Sequence, residues 1–346
     1  MIQNAFLPIF RVSGTNYDIG FEVGSKFKDQ IQQAFSKSAL YNHLKEQDKI
    51  NPKWFNNLHE IAEKHYPQYL AEISGIADGA DLAYRDVAII NFRGSFKAER
   101  VGCSTVIFKN QEYIIVAHNE DHEAILGELA YLLIVKLSNG TSFIAYTYPG
   151  CLPGFSFSFN SHGLIQSANA MPDPVAKIGI PRHLLDRYMV EAPTIDDALQ
   201  RAQINPRSGG FSYNIASMYE KRVVNIETTS EEADITEIND RYVHTNHYIS
   251  NKLKNIPIPV GSTEARYNRG QELLMSADKS STESLNILTD NKICLPLQES
   301  TGLYGTMVGG TLCTAIFELE DDIKLRIYQT SKGITASIQL SMHDLV

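Results

Sequence analysis

The sequence predicts an α+β fold, a four-layer αββα sandwich, and three observations carry that prediction. The first hundred residues have helical texture. At Cys103 the texture changes to short apolar, β-branched runs separated by turn signals, and two helical blocks later interrupt and flank the strands. Strand blocks bounded by helix blocks are satisfied by two sheets packed face to face with helices outside.

Taken in order, amphipathic periodicity predicts helices over about Tyr17 to Ser38 and Lys53 to Ser74, followed by the small-residue segment SGIADGADL. Gly20 and Gly24 fall on one helical face, which reads as close helix packing. The runs STVIFK, YIIVAH, YLLIVKL, TSFIAYTY, FSFSFN and GLIQSANA then read as antiparallel strands, with KNQE, SNGT and NSHG as turns. Helices follow over about Pro181 to Glu191 and Thr194 to Ala202, and strands return as FSYNIASMY, RVVNIETT and EADITEI. Helices near Ser262 to Met275 and Thr282 to Leu288 precede a last strand pair, TLCTAIFEL and IKLRIYQ. There is no internal repeat or low-complexity tract.

With 346 residues, 43% of them hydrophobic and 10% aromatic, the chain can bury the core of one large domain or two modest ones. That excludes a disordered or fibrous protein. A formal charge of -9, with Lys and Arg scattered, offers no footprint for a phosphate backbone, so nucleic acid is not an expected partner. The first residues, MIQNAFLPIFRVSG, lack the basic start and apolar run of a signal peptide, and no later stretch reaches the ~18 apolar residues of a membrane helix. The expectation is a soluble, cytoplasmic protein without a membrane partner. Cys103, Cys151, Cys294 and Cys313 lie far apart with no CxxC pair, so neither a disulfide framework nor a zinc ribbon is expected and a thiol is free for chemistry.

The candidate nucleophile is Cys103, in VGCSTVIFK, at the point where helix gives way to strand. A cysteine there is by itself most often a small core residue. Gly102 alters that reading: glycine tolerates strained dihedrals, and lacking a Cβ it leaves its carbonyl open to the neighbouring thiol. Attack of Cys103 on the Gly102 carbonyl, acyl transfer to sulfur and hydrolysis of the thioester would free an α-amine on Cys103. An α-amine of pKa ~7.7 to 8.0 can then take the thiol proton near neutral pH, so nucleophile and base share one residue.

Sixteen residues downstream, AHNEDHE puts Asn119 and Asp121 just past a strand expected to pair with that of Cys103. A carboxylate there can hold the ammonium, and an amide can position the nucleophile. Asn169 in GLIQSANAM and Asn246 in RYVHTNHY close apolar strands and are oxyanion-hole candidates. Arg266, early in a predicted helix, can bind a carboxylate or support the site. His118 and His122 with Glu120, Asp121 and Glu123 form a weaker metal alternative, because HxxxH spacing suits a helix and this segment leaves a strand. His244 and His247, flanking Asn246, allow a papain-type Cys-His reading, although papain-type cysteines open a helix and STVIF has strand texture.

In this order, SGTNYDIGFEVG, SGIADGADL, VGCST, HNED, NSHGLIQSANA, HTNHY and TLCTAIFEL resemble the acyl-CoA:6-aminopenicillanic acid acyltransferase family, relatives of the choloylglycine hydrolases. The resemblance implies an αββα fold of the N-terminal-nucleophile hydrolase type, cleavage between Gly102 and Cys103, and a fragment 1–102 that stays bound to a catalytic fragment 103–346. It also implies Cys103 as nucleophile, Asp121 holding its amine and Asn246 lining the oxyanion hole, and extends less directly to Asn119, Asn169 and Arg266. Choloylglycine hydrolases have arginine where this chain has His118, read here as a substrate-binding position; the departure argues against bile-acid hydrolysis.

The activity implied is hydrolysis of a small acylated amine or amino acid through an acyl-cysteine, with acyl-CoA-dependent N-acyl transfer as the alternative. No metal or redox cofactor is required, a CoA thioester being an optional co-substrate. Partners are a small amide or acyl molecule, the two fragments for each other, and optionally a second copy of the chain. The reading from another class is an uncleaved, non-catalytic binding protein.

Overall fold

A computed structural model describes residues 7–96, 102–171, 173, 177–257, 261–302, 305–329 and 336–345. Strand β1 (Ile9–Gly14) leads into helices α1 (Asn16–Lys26), α2 (Lys28–Lys37), α3 (Ala39–Ile50), α4 (Pro52–His65), α5 (Pro67–Ala80) and α6 (Tyr84–Asn91). Next come β2 (Gly102–Lys109), β3 (Ile114–Glu123), the short α7 (Ala124–Glu128), β4 (Tyr131–Leu137), β5 (Ser142–Thr147), β6 (Phe157–Asn160) and β7 (Leu164–Ala170). Helices α8 (Arg182–Met189) and α9 (Ile195–Ala202) precede β8 (Phe211–Ser217), β9 (Arg222–Thr228), β10 (Ala233–Glu237) and β11 (Arg241–His244). The chain ends with α10 (Thr263–Ser276), α11 (Ser281–Leu288), β12 (Gln298–Gly302), β13 (Gly305–Leu319), β14 (Ile323–Tyr328) and β15 (Ala336–Ser341). None of these helices is long and apolar enough to cross a membrane.

The strands form two sheets, one ordered β1-β4-β5-β6-β7-β8-β9-β10 and the other β11-β2-β3-β13-β14-β15 with β12 on β13. Their facing surfaces share the main core, in which Ile107 and Val116 of one sheet join Ile144 and Phe157 of the other. Outside the second sheet, Val106 and Phe108 of β2 pack with Leu274 of α10 and Ile287 and Leu288 of α11. Outside the first, Ala198 and Leu199 of α9 cover Tyr213, Ile215, Val224 and Ile226. The expected four layers are present.

The expected helices are shorter and more numerous. The run to Ser38 divides at Phe27, and Pro67 separates α4 from α5, since proline starts a helix and cannot continue one. Helix α3, unmarked by the periodicity, begins where the Ser38 side chain accepts from the Tyr41 amide. The segment SGIADGADL is mostly the last turns of α5, and Gly75 and Gly79 there meet Gly20 and Gly24 of α1. A Cβ on Gly20 would lie 2.1 Å from the Glu72 carbonyl oxygen, so backbone contact is what these glycines permit. The N-terminal region is also not wholly helical: β1 runs parallel to β4, from Ile9 against Leu132 to Gly14 against Leu137.

Candidate active site

Strand β2 pairs antiparallel with β3 so that Gly102 faces Asp121, Cys103 faces Glu120, Ser104 faces Asn119 and Thr105 faces His118. The HNED segment is therefore inside the strand, not past it. Side chains alternate across a strand, so the motif divides. Glu120 and His118 share with Cys103 and Thr105 the face toward the other sheet, while Asp121 and Asn119 share with Gly102 and Ser104 the face toward α10 and α11.

On the inner face, Thr105 donates to Asn169 Oδ1 of β7 at 2.9 Å and its hydroxyl meets His118 Nδ1 at 2.9 Å. His118 Nε2 lies 3.3 Å from Glu120, which also accepts from Ser156 at 2.6 Å and from Tyr148. Burial pushes the Glu120 carboxyl up, but His118, Ser156 and Tyr148 outweigh it, and the group stays below the usual carboxylate range. Cys103, Glu120, Tyr148, Phe155, Phe211 and Arg93 are among the walls of a cavity of about 20 Å³. The thiol is raised well above its ordinary value, first by burial, then by Glu120 and Asp121; the Ala170 backbone and Arg266 act the other way.

On the outer face, polar groups converge on the backbone of Gly102 and Cys103. Cys103 N–H donates to Asn246 Oδ1 at 2.9 Å, and Arg266 Nη1 donates to the Cys103 carbonyl at 2.6 Å and to Ser104 Oγ at 2.8 Å. Arg266 Nη2 reaches Asn246 Oδ1 at 2.8 Å. Asp121 Oδ1 accepts from Thr311 at 2.6 Å; Oδ2 has no hydrogen-bond partner among the described residues and lies 3.9 Å from Arg266. Burial raises the Asp121 carboxyl against the pull of Arg266 and Thr311. A Cβ on Gly102 would stand 2.8 Å from that Oδ2, so the glycine leaves room for the carboxylate and is not there for a left-handed dihedral. Beyond Gly102 opens a cleft of about 250 Å³, bordered by Asp121, Ser262, Leu295, Gln298 and Met307.

A profile for acyl-coenzyme A:6-aminopenicillanic acid acyl-transferases matches residues 108–332. The chain belongs to that family. Among relatives, a β-alanyl-dopamine/carcinine hydrolase of Drosophila melanogaster is 25% identical over 218 residues, 56% of each chain, so the match spans little more than half of that protein's length. The 40 kDa form of acyl-coenzyme A:6-aminopenicillanic-acid-acyltransferase of Emericella nidulans is 24% identical over 88% of each chain. The crystal structure of a mutant conjugated bile acid hydrolase from Clostridium perfringens aligns with a TM-score of 0.47 and 11% identity, over 70% of this chain and 92% of that one.

In this member of the acyl-transferase family, the residues singled out in the sequence fall into three groups. Cys103, Gly102, Asp121, Asn246 and Arg266 are brought together; Arg266 is committed to Cys103, Ser104 and Asn246, which are the contacts of a supporting residue. Asn246 Nδ2 is engaged by the Ala170 carbonyl at 2.9 Å, whereas the buried Asn169 Nδ2 has no partner among the described residues. Asn119 points away from the thiol, donating to the Leu288 carbonyl at 2.8 Å and accepting from Thr314 at 2.6 Å, and so joins α11 to the sheet.

The strand also splits the metal alternative between its faces. Donor atoms of Cys103, His118 and Glu120 do lie within 4.8 Å of one another, but Thr105, Tyr148 and Ser156 already engage the latter two. His244 lies between its own Thr245 carbonyl and Glu227, and His247 between Thr245 and Thr263, so neither addresses Cys103. All four cysteines are free thiols. Tyr148, Ser156 and Arg93 carried no sequence signal as site residues. Glu120 did: period-two alternation from Cys103, had β3 been extended through the motif, puts it opposite the thiol.

Proposed function

We propose that this chain is a self-cleaving amide hydrolase or acyltransferase in which Cys103, freed as a terminus, is the nucleophile. The supporting observation is that Asn246 and Arg266 hydrogen-bond the Cys103 backbone with Asp121 beside Gly102, around the peptide bond to be cut and the amine that cutting would free. The Cys103 thiol attacks the Gly102 carbonyl carbon, the C–N bond breaks as its electrons return to nitrogen with a proton, and water cleaves the thioester to a Gly102 carboxylate and a free thiol. The new amine stands where Cys103 N now meets Asn246 Oδ1 at 2.9 Å, with Asp121 on the same side. Two acceptors around an ammonium hold it in place.

In turnover the amine accepts the thiol proton, the thiolate attacks the substrate carbonyl, and the leaving amine departs with a proton from the ammonium. Asn169 Nδ2, buried without a partner among the described residues, is a ready donor to the oxyanion, alongside the proposed role of Asn246. Water then releases the acyl group as an acid, or an amine takes it as a new amide. Hydrolysis is the preferred reading. Transfer, with a CoA thioester as the acyl source, is supported by the relative named an acyltransferase that aligns over 88% of both chains.

The intact mass of wild type and Cys103→Ala under denaturing conditions tests the proposal. Wild type should separate into fragments 1–102 and 103–346 and the variant should stay whole. One undivided chain in both would overturn the terminal nucleophile and favour an uncleaved binding protein.

A further inference from the structure

We infer that Glu120 is the binding site for a positively charged ammonium on the acyl half of the substrate, so that the chain acts on short α- or β-aminoacyl groups. This rests on Cys103 being the residue that carries the acyl group. Glu120 and Cys103 are register partners with side chains on one face, and a carboxylate oxygen lies within 4.8 Å of the sulfur. An acyl group on that sulfur therefore brings substituents on its first or second carbon within reach of the carboxylate.

The carboxylate is built to be charged. It is buried, 4% exposed, and a buried ionised carboxylate is tolerated only where donors surround it. Ser156 and His118 both address Oε2, and Tyr148 addresses Oε1. A carboxylate has about four acceptor positions, so Oε1 keeps one. The adjoining cavity is walled by Tyr148, Phe155 and Phe211; Arg93 and Arg182 already lie over the Phe155 and Phe211 rings, so the carboxylate and not the rings supplies the attraction for a further cation. Its volume of about 20 Å³ admits little more than one water-sized group, which an ammonium is and a long acyl chain is not.

The other charged wall does not reverse this. Arg93 donates to the Ile90 carbonyl, touches Cys151 and stacks on Phe155 with 4.5 Å to the ring centroid.

The p-nitroanilides of glycine, β-alanine, propionic acid and succinic acid share one leaving group and differ in acyl charge, and they test the assignment with wild type and Glu120→Gln. A charge-assisted hydrogen bond corresponds to a roughly ten- to hundredfold preference in kcat/KM for the aminoacyl anilides over the propionyl one. Glu120→Gln should bring that ratio near unity, with a circular-dichroism spectrum and a cooperative melting transition like those of wild type reporting a folded protein. Should Glu120→Gln not fold, Glu120→Asp keeps the charge and should keep the direction of preference. Equal or better turnover of the propionyl or succinyl anilide by wild type, or an equal loss on all substrates in Glu120→Gln, overturns the assignment while leaving the cysteine nucleophile standing.

If no anilide is turned over, the intact-mass result alone decides the nucleophile, and the subsite is read from alkylation of Cys103 by iodoacetamide. Protection by β-alaninamide but not propionamide, lost in Glu120→Gln, supports it. Equal protection by both, or protection by neither, overturns it.

Discussion

His122 shows how burial at the strand end shapes the chemistry of a single residue. Its Nδ1 accepts the Glu123 amide at 2.7 Å and its Nε2 finds no partner among the described residues. Burial, opposed by Glu120 and assisted by Arg93, brings the imidazole down from 6.5 to about 3. The unfolded chain takes up this proton near pH 6.5 and the folded chain refuses it until about pH 3, so the unfolded state binds more protons across that window. Stability is therefore lost as pH falls from about 6.5. Melting temperatures between pH 7 and pH 4 should decline less steeply in His122→Gln than in wild type; parallel curves would show that the imidazole is not the cause. At this scale the juxtaposition of Cys103, the proposed nucleophile, with Gly102 and the outer carboxylate Asp121 was legible in the sequence, because a strand start after glycine and an acidic strand partner are local features. Glu120 was visible as a letter and entered the sequence reading only within the disfavoured metal alternative, because its placement depends on which way a side chain leaves the strand.

Period-two alternation along β3 sorts HNED into a thiol face and a helix face, so one residue of error in where a strand ends reassigns two side chains. Helices show a comparable sensitivity in α1 and α5, which touch backbone to backbone through Gly20, Gly24, Gly75 and Gly79. The packing role of Gly20 and Gly24 was readable from their spacing, but their partners Gly75 and Gly79, 55 residues further along, were not. A Cβ at Gly75 would lie 2.2 Å from the Tyr17 carbonyl oxygen and 2.7 Å from the Phe21 amide, both of them backbone atoms that cannot rotate aside. Gly75→Ala should cost about 1–3 kcal/mol or more through overpacking, seen as a lower denaturation midpoint. An unchanged midpoint would mean that the two helices separate at no cost.

Across the whole molecule, the region before Cys103 is bound into the region after it. Strand β1 pairs with β4 along its length, and Phe27 stacks on Tyr131 with 3.9 Å between centroids. Ser38 and the Ala39 amide both donate to Glu123, Tyr41 donates to the Pro149 carbonyl, and the buried Arg187 of α8 donates to both oxygens of Glu72 of α5 at 3.2 Å. If the 102–103 bond is cut, fragments 1–102 and 103–346 should elute together in gel filtration and part only in denaturant. Separation under native conditions would show that these contacts do not outlast the peptide bond. A strand shared in one sheet and a core shared by both regions leave neither able to bury its apolar surface alone.

By itself the sequence determined the fold class, most of the strands, the Gly102-Cys103 junction and the family resemblance, because apolar periodicity, turn residues and short motifs are properties of contiguous residues. Only the tertiary structure decided that β1 joins the sheet, that Asn246 and Arg266 close on the Cys103 backbone from 143 and 163 residues away, and that Glu120 rather than Asn119 faces the thiol. The physical reason is that a hydrogen bond or a shared cavity depends on distance and direction in space. Chain position sets neither until the sheets pair in register.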